Sequence, residues 1–543
     1  MNVANPERGF SFKKFSWIVF GLIAVGIAFR FYQITRNDFY FYDEGMFLSY
    51  GRTLFHNYTI KPSHSFSEIL QAIFYWPVYG FCTDRPLWQM MVDARFFWGG
   101  LETFWYVRFL SAVIGTLTLG MVYLFAKRFF NSKVTALLSV LFLALLPSHV
   151  FYSRLGLPEA ATTLLFLAGF YFYLFPRTLG WRTFLSGILF VCAFFTNYRF
   201  LIFPGLVFFA EFFISSAQKR PFDRKKWLWN TLVFFFFVFL ACLLNNGAYF
   251  KVTSAWSLRQ IDLAQEHFAW ANLFSYPYML FRLEGWPFGL LLLGNIYFVA
   301  RKEWGKLLPW AMVCLQMALF SFSSDKAARY VAAVTPFMAM SAAVLIVSLF
   351  QDTKGKFFKG LAVIFCILTI GMCVMKSVSI VKSHSSAEDA VKYLKTMDPH
   401  PKIVTTQPLI LGLFLDYGDE ALSCPDVKDP AFFKLSDMGY RYLVFGMQAH
   451  VSWTRTGVSF EDDLGGPLEF FDKRVQPIKT FPAMSSGMLE RFVFEHNQNL
   501  MDSISFLNEI LANPVGRRVY DLPQGVSAMK SSLAQWSNAN QQN

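Results

Sequence analysis

Cysteine is scarce in this chain, seven residues in 543, and no two stand at a CxxC spacing. Cys192, Cys242, Cys314, Cys366 and Cys373 fall in apolar stretches, which leaves only Cys82 and Cys424 in polar regions. Neither a zinc site nor a disulfide framework is indicated. Histidine is equally sparse, eight residues without ligand-like spacing, so the sequence is silent on metal dependence. Charged residues make up only 16% of the chain, against 55% hydrophobic and 19% aromatic, with 66 Phe. So little charge cannot solvate one soluble domain of this length, and the composition reads as a multi-spanning membrane protein with a soluble part. No small-residue cleavage site follows Arg8, Lys13, Lys14 and the first apolar run, so that run reads as a retained helix. No internal repeat relates the apolar segments, which weakens an inverted-repeat transporter.

What is present is a series of about eleven apolar segments of spanning character. They run approximately over 16–34, 104–126, 134–150, 157–175, 184–195, 200–215, 228–244, 276–300, 307–321, 330–350 and 360–375. The fifth and sixth are short and are separated only by Thr196-Asn197-Tyr198-Arg199. Charge resolves that ambiguity. One long helix would put Arg177 and Arg182 on the opposite side from Lys219, Arg220, Arg224, Lys225 and Lys226, whereas a tight hairpin puts both groups inside. With the hairpin, every second loop is basic, and the net charge of +13 is a topology signal and not a nucleic-acid footprint. The expected protein is multi-pass in the cell membrane, with its N-terminus cytoplasmic and long outer segments over 35–103, 245–275 and from 376 onward.

The first outer loop opens amphipathically, with Met46, Phe47, Tyr50 and Leu54 opposite Ser49, Arg52 and Thr53, and is expected to lie along the membrane surface. The tail alternates helix-like 387–397, strand-like 402–406, helix-like 432–438 and strand-like 441–445, as in a small α/β domain. The fold class is therefore mainly α and polytopic, with about eleven transmembrane helices, amphipathic outer-face helices and a small C-terminal α/β extracytoplasmic domain. The domain division is 1–378 for the membrane part, 379–500 for the α/β part, and 501–543 for a helix followed by a frayed Ser/Asn/Gln-rich end.

Four outward groups converge by topology. Asp43-Glu44 follows the first helix, Arg85 lies in the same loop, and Arg154 with Leu157-Pro158-Glu159 fills the turn between the third and fourth helices. Lys326-Ala327-Ala328-Arg329-Tyr330 fills the turn between the ninth and tenth. Carboxylates this close to hydrocarbon are costly and point to function. With cations at the same face they suit a reaction in which a hydroxyl loses its proton to a carboxylate while Arg and Lys stabilise a departing phosphate. Plainer alternatives exist: headgroup binding for Arg85 and Lys326, a snorkelling helix end for Arg154, a solvated helix start for Asp43-Glu44.

Taken in order, Asp43-Glu44, Asp84-Arg85-Pro86-Leu87, Arg108-Phe109-Leu110-Ser111, Tyr152-Ser153-Arg154 with Leu157-Pro158-Glu159, and Arg329-Tyr330 with Pro336 resemble membrane glycosyltransferases of the C superfamily. The resemblance is to the protein O-mannosyltransferase and aminoarabinose transferase type, over about residues 10–350. It implies inverting transfer from a polyprenyl-phosphate sugar to a lipid, glycan or protein acceptor in the cell envelope. It assigns Asp43 as general base or acceptor orienter with Glu44 in support. Arg85, Lys326, Arg329 and Tyr330 go to the donor phosphate, and Arg154 and Glu159 to the acceptor. Arg85 replaces the family's lysine, and the two are not interchangeable. Gly45 and Met46 follow Glu44 where aminoarabinose transferases carry an arginine, which argues against that substrate. The tail lacks the Trp-Trp-Asp motif of oligosaccharyltransferases. No cofactor is required by the reading, although Asp43, Glu44 and Glu159 could hold a divalent metal.

A transporter or lipid flippase is the competing class. It would place charge mid-span, whereas here the spans are nearly free of charge apart from Glu211 and Glu284. The loop from Asn245 to Asn272, with Trp256, Arg259, Asp262, Glu266, His267 and Trp270, is aromatic and charged enough to close over a sugar.

Overall fold

In the computed structural model, residues 12–34, 43–49, 83, 85–94, 104–175, 180–244, 270–322, 326–352, 356–384, 386–412, 414–415, 420–424, 430–446, 470–471, 474–495, 499–512, 514 and 516–542 are described. Tyr50, Leu54, Cys82, Asp84 and most of the expected sugar-covering loop, 245–269, lie outside the described residues. The chain forms two units. One comprises Met1–Ile34, Gly51–Val381 and Asn497–Met501, and the other Thr35–Tyr50, Lys382–His496 and Asp502–Asn543.

Every apolar segment expected from the sequence is helical in the first unit. Its helices are α1 (Phe12–Phe31), the short α3 (Pro86–Asp93), α4 (Phe104–Phe130), α5 (Lys133–Leu145), α6 (Pro147–Tyr152), α7 (Glu159–Leu174), α8 (Trp181–Thr196), α9 (Phe203–Gln218) and α10 (Arg224–Leu244). They continue as α11 (Ser275–Met279), α12 (Trp286–Leu293), α13 (Ile296–Ala300), α14 (Trp304–Ser321), α15 (Thr335–Asp352) and α16 (Lys356–Val381). The label α2 belongs to residues 43–49 of the second unit. Among the described residues, four helices are long and apolar enough to cross a membrane alone, over 105–130, 224–243, 328–351 and 356–381, and six shorter apolar helices accompany them.

Local chemistry sets the breaks. Ser132 caps α5 by accepting from the Thr135 amide at 3.2 Å. The helix stops at Leu146 because Pro147 disfavours a helical predecessor and then serves as the first residue of α6. Between α8 and α9 the chain breaks at Asn197 and passes through a 3-10 turn, Tyr198–Ile202, so the predicted hairpin is present as two helices. The segment 276–300, expected as one span, is divided. A π turn at Leu280–Glu284 is followed by Gly285 at φ 98°, a backbone region that only glycine enters without strain. Aromatic rings fill the core between helices, with Phe166 stacked on Phe203 at 5.3 Å and edge-on to Phe337 at 5.9 Å.

The second unit is an α/β domain. α17 (Ala387–Met397) leads into β1 (Ile403–Thr405), α18 (Pro408–Leu411), β2 (Ala421–Ser423) and β3 (Tyr442–Phe445), followed by β4 (Lys479–Thr480), α19 (Ser486–Phe494), α20 (Leu500–Ala512), β5 (Arg518–Asp521) and α21 (Leu522–Gln542). The sheet order is β2-β1-β3-β5-β4. β1 runs parallel to β2 and β3, pairing Ile403 with Ala421 and with Tyr442, whereas β5 is antiparallel to β3 and to β4, pairing Val444 with Val519. β1 and β3 are buried throughout, as in central strands covered on both faces. Phe445 stacks on Tyr520 at 5.1 Å, and Phe471 meets Tyr520 edge-on at 5.6 Å.

Two expectations need correction. Residues 501–543 are not an appended helix with a frayed end: β5 sits between β3 and β4, and Leu522 and Val526 of α21 belong to the domain's core, so the α/β unit does not end at 500. The expected helix at 432–438 is only a 3-10 turn, Pro430–Lys434. Burial raises the pKa of the Cys424 thiol to about 12. The thiolate is then absent well above neutral pH, and we expect slow alkylation of Cys424 at pH 8 to 9 that accelerates in denaturant. Rapid labelling of the folded protein, followed by peptide mapping, would count against this.

Candidate active site

α2 carries the acidic pair and belongs to the α/β unit. Asp43 is half-buried, while Glu44, Phe47 and Leu48 are buried. Gly45 explains how α2 seats itself. A Cβ there would lie 3.1 Å from the Leu409 carbonyl oxygen and 3.2 Å from Cγ1 of Ile410, tight contacts that glycine avoids as α2 approaches α18. Of the apolar face read from the sequence, Phe47 is buried and Met46 is half-buried.

The remaining site residues belong to the helical unit. The α1 end is ringed by arginines. Arg154 Nη1 donates to the carbonyls of Phe29 and, at 2.9 Å, Tyr32, while Arg108 Nη1 donates to Ile34 O at 3.2 Å. Arg30 donates to Ala144 O at 2.8 Å and to His149 Nδ1 at 2.6 Å, which leaves the imidazole proton on Nε2. These cations neutralise carbonyls that a helix C-terminus leaves unsatisfied. Burial, then the neighbouring Arg108, lowers the Arg154 pKa to about 9. Arg154, assigned to the acceptor by resemblance, thus spends one guanidinium nitrogen on holding α1 to the turn before α7. Arg154→Leu is expected to destabilise the fold by about 1–3 kcal/mol by leaving those carbonyls unpaired, measurable as a lowered unfolding temperature in detergent. An unchanged temperature would mean that the arginine does not clamp α1.

Glu159 opens α7 and is 2% exposed, yet neither carboxylate oxygen has a hydrogen-bond partner among the described residues. A buried carboxylate in that state is expensive and is built to receive donors. Thr163, one turn on, ties α7 to the 3-10 helix Ala328–Val334 through its hydroxyl, 3.4 Å from Ala332 O. That 3-10 helix carries Arg329 and Tyr330, both buried, just after buried Lys326. Gln316 fixes it from α14 by donating to Tyr330 O at 2.8 Å, and Tyr276 donates its hydroxyl to Ala327 O at 3.4 Å.

Arg199 completes the cluster. Its guanidinium lies 4.1 Å from the Tyr330 ring centroid and 5.5 Å from that of Tyr198, a cation–π stack. Its buried Nη1 has no hydrogen-bond partner among the described residues. Burial opposes its charge, but Tyr330, Tyr198 and Glu159 outweigh that and hold its pKa above the ordinary value. From the sequence Arg199 reads only as part of a turn, because nothing in its spacing tells that Tyr330, far along the chain, lies against it. Arg85 stands immediately before α3 and is buried, with α3 packed on α8.

The structure therefore brings together Glu159, Arg199, Arg329, Tyr330 and Lys326 around one 3-10 helix. Arg154 is tied to the end of α1, and Asp43 and Glu44 stand in the other unit. Glu284 accepts from the Ser148 amide at 3.1 Å and from its hydroxyl, so the charge noted within the eighth span sits at a helix break with a partner. Glu211 likewise is ion-paired, with Arg220 at 2.8 Å. Among the described residues, no group of three or more His, Cys, Asp or Glu side chains is placed to hold a metal ion.

Residues 96–244 match the family described as dolichyl-phosphate-mannose-protein mannosyltransferase. No curated protein matches the chain. Among solved structures it is similar to ArnT from Cupriavidus metallidurans in the apo state, at 15% identity and TM-score 0.52, over 82% of this chain and 95% of that one. The same protein bound to undecaprenyl phosphate aligns at 15% identity and TM-score 0.50, over 81% and 95%. The archaeal oligosaccharyltransferase AglB from Archaeoglobus fulgidus, in complex with an inhibitory peptide and a dolichol-phosphate, aligns at 11% identity and TM-score 0.50, over 82% and 71%. The matched segment and the shared architecture agree with the resemblance read from the sequence, and the chain has the mostly helical fold of ArnT and AglB, with the protein mannosyltransferase match confined to residues 96–244.

Proposed function

We propose that the chain is an integral-membrane glycosyltransferase that moves a sugar from a polyprenyl-phosphate carrier to a lipid, glycan or protein acceptor. The observation that carries this reading is the cluster of Lys326, Arg329 and Arg199 with Tyr330 beside the buried carboxylate of Glu159, which accepts no hydrogen bond among the described residues. Cations fixed by stacking and by a hydrogen-bonded 3-10 helix are pre-organised for a phosphate whose charge grows as it departs. ArnT has been solved with undecaprenyl phosphate bound, and a lipid-linked donor here fits that likeness.

The chemistry is a single displacement. The acceptor hydroxyl oxygen attacks the anomeric carbon and the bond from that carbon to the phosphate oxygen breaks, with inversion. Asp43, with Glu44 in support, takes the hydroxyl proton, and polyprenyl phosphate leaves with both bonding electrons. Glu159 accepts hydrogen bonds from the acceptor, and Arg85 adds a cation on the donor side. Arg154 is a positioning residue by virtue of its hold on α1. The proposed orientation puts the N-terminus in the cytoplasm and the α/β domain outside, in the cell membrane. No step requires a cofactor; Asp43, Glu44 and Glu159 are the oxygen ligands a divalent metal would take, and dialysis against chelator tests that point.

The reading is tested by transfer of radiolabelled sugar from a panel of polyprenyl-phosphate donors in membranes holding the protein. Donor-dependent labelling of an acceptor fraction is expected. If the folded protein transfers no sugar from any donor but equilibrates labelled lipid across proteoliposomes, a lipid transporter replaces the enzyme.

A further inference from the structure

Gln316 stands inside α14 between Leu315 and Met317 and is 0% exposed. A carboxamide buried in an apolar helix costs free energy wherever its polar atoms lack partners, a cost that an apolar side chain of the same size does not carry. Only half of this one is satisfied. Nε2 donates to the Tyr330 carbonyl at 2.8 Å, while Oε1 has no hydrogen-bond partner among the described residues. The side chain is thus kept for a single bond, and that bond ends on the 3-10 helix that carries the proposed phosphate cations.

That helix depends on outside anchors. A 3-10 helix aligns its own hydrogen bonds poorly, and Pro336 has no N–H to offer the Ala332 carbonyl four residues back. Ala332 O accepts instead from the Thr335 hydroxyl at 2.7 Å and from Thr163 of α7 at 3.4 Å. Tyr276 of α11 reaches Ala327 O at 3.4 Å, so the Gln316 bond is the shortest of the three that join this stretch to other helices. α14 also holds Tyr330 a second time. Phe320 follows Gln316 by four residues, on the same face of α14, and its ring lies 5.4 Å from that of Tyr330. One helix therefore grips Tyr330 by carbonyl and by ring, and that ring is the platform on which the Arg199 guanidinium lies at 4.1 Å.

We propose that Gln316 is a positioning residue for sugar transfer: by fixing Tyr330 it sets where Arg199 stands toward the departing phosphate. It acts through Tyr330 and belongs to none of the charged motifs. The inference rests on the reading of Lys326, Arg329 and Arg199 as the donor-phosphate cluster.

The test is a double-mutant cycle between Gln316→Met and Arg199→Met in membranes holding the protein, read both by sugar transfer and by binding of bare polyprenyl phosphate. Methionine keeps the unbranched shape of glutamine and removes the donor. Gln316→Met alone is expected to lower kcat by about tenfold, the worth of one hydrogen bond, and to leave the donor KM within about threefold, since the phosphate gains its charge only as it departs. Bare polyprenyl phosphate already carries that charge and is expected to bind about tenfold more weakly. In the Arg199→Met background the same substitution is expected to cost less than about twofold in each readout, because the group that Gln316 places is already gone. Equal losses in both backgrounds overturn the inference, since a side chain that only supports the fold acts independently of Arg199. Gln316→Asn keeps the carboxamide but stops one methylene short of Tyr330, and it decides the matter in the same cycle if Gln316→Met does not fold. Coupled losses in binding, with no sugar transferred even by wild type, would leave Gln316 in its role and overturn the enzymatic reading. A folded wild type that does not bind polyprenyl phosphate would overturn both.

Discussion

Asp43→Asn is expected to lower the turnover of sugar transfer by about 10²–10⁴-fold, the range supplied by a positioned general base. The residue opens α2, where the helix dipole favours the negative carboxylate and the seat of Gly45 against Leu409 and Ile410 fixes the backbone that bears it. Asparagine preserves size and hydrogen bonding but cannot take a proton, so the acceptor hydroxyl remains protonated as the anomeric bond breaks. Because the proposed phosphate contacts come from the helical unit, the donor KM is expected to stay within a few-fold. Initial rates at matched protein levels, with donor binding measured in parallel, check both halves. A variant that turns over at the wild-type rate removes Asp43 from the chemistry, and one that fails to bind donor would make it a structural residue. Glu44→Gln, at the fully buried neighbour, is expected to act on stability more than on rate, since Glu44 is 0% exposed.

Arg199→Met should reduce kcat/KM by about 10²–10³-fold, the cost of losing one pre-organised donor to a developing anion. Methionine keeps much of the bulk over Tyr330 but neither the charge nor the free Nη1. Lysine at the same position is expected to recover only part of the activity, because an ammonium supplies a point charge without the planar stack 4.1 Å from the Tyr330 ring. Tyr330→Phe retains the ring and should cost little, whereas Tyr330→Leu removes the platform and should approach the effect of Arg199→Met. Steady-state kinetics over a donor titration separate these outcomes. If Arg199→Met turned over within twofold of wild type, the cluster would not be the phosphate site, and the weight would move to Arg85.

Much of this was legible before any tertiary contact was known, because a bilayer imposes its requirements residue by residue. Apolar length marks a helix, and Ser132, Pro147 and Pro158 mark starts and stops through local backbone chemistry. The hairpin at 196–199 followed from loop charge alone. Strands β1 and β3 were visible as short apolar runs for the same local reason. The amphipathic face of α2 was equally visible, but an apolar stripe does not name its partner. Lipid and a protein surface satisfy it alike.

The misses share that cause. β5 carries Arg518 and Asp521 at its ends and borders a polar tail, so its strand character exists only because β3 and β4 offer it ladder partners. Arg199 read as a turn residue and Glu284 as a stray mid-span charge, since a stack on Tyr330 and a bond to Ser148 link positions separated by more than a hundred residues. Composition and near-neighbour chemistry were enough for the class of protein, the helical segments, the acidic pair and the order of the charged motifs. Which charges meet was settled by packing. It spent Arg154 on α1, gathered Arg199, Arg329 and Tyr330 beside Glu159, and put Glu284 against Ser148, because burial and pairing across distant segments are not fixed by any one segment's own preference.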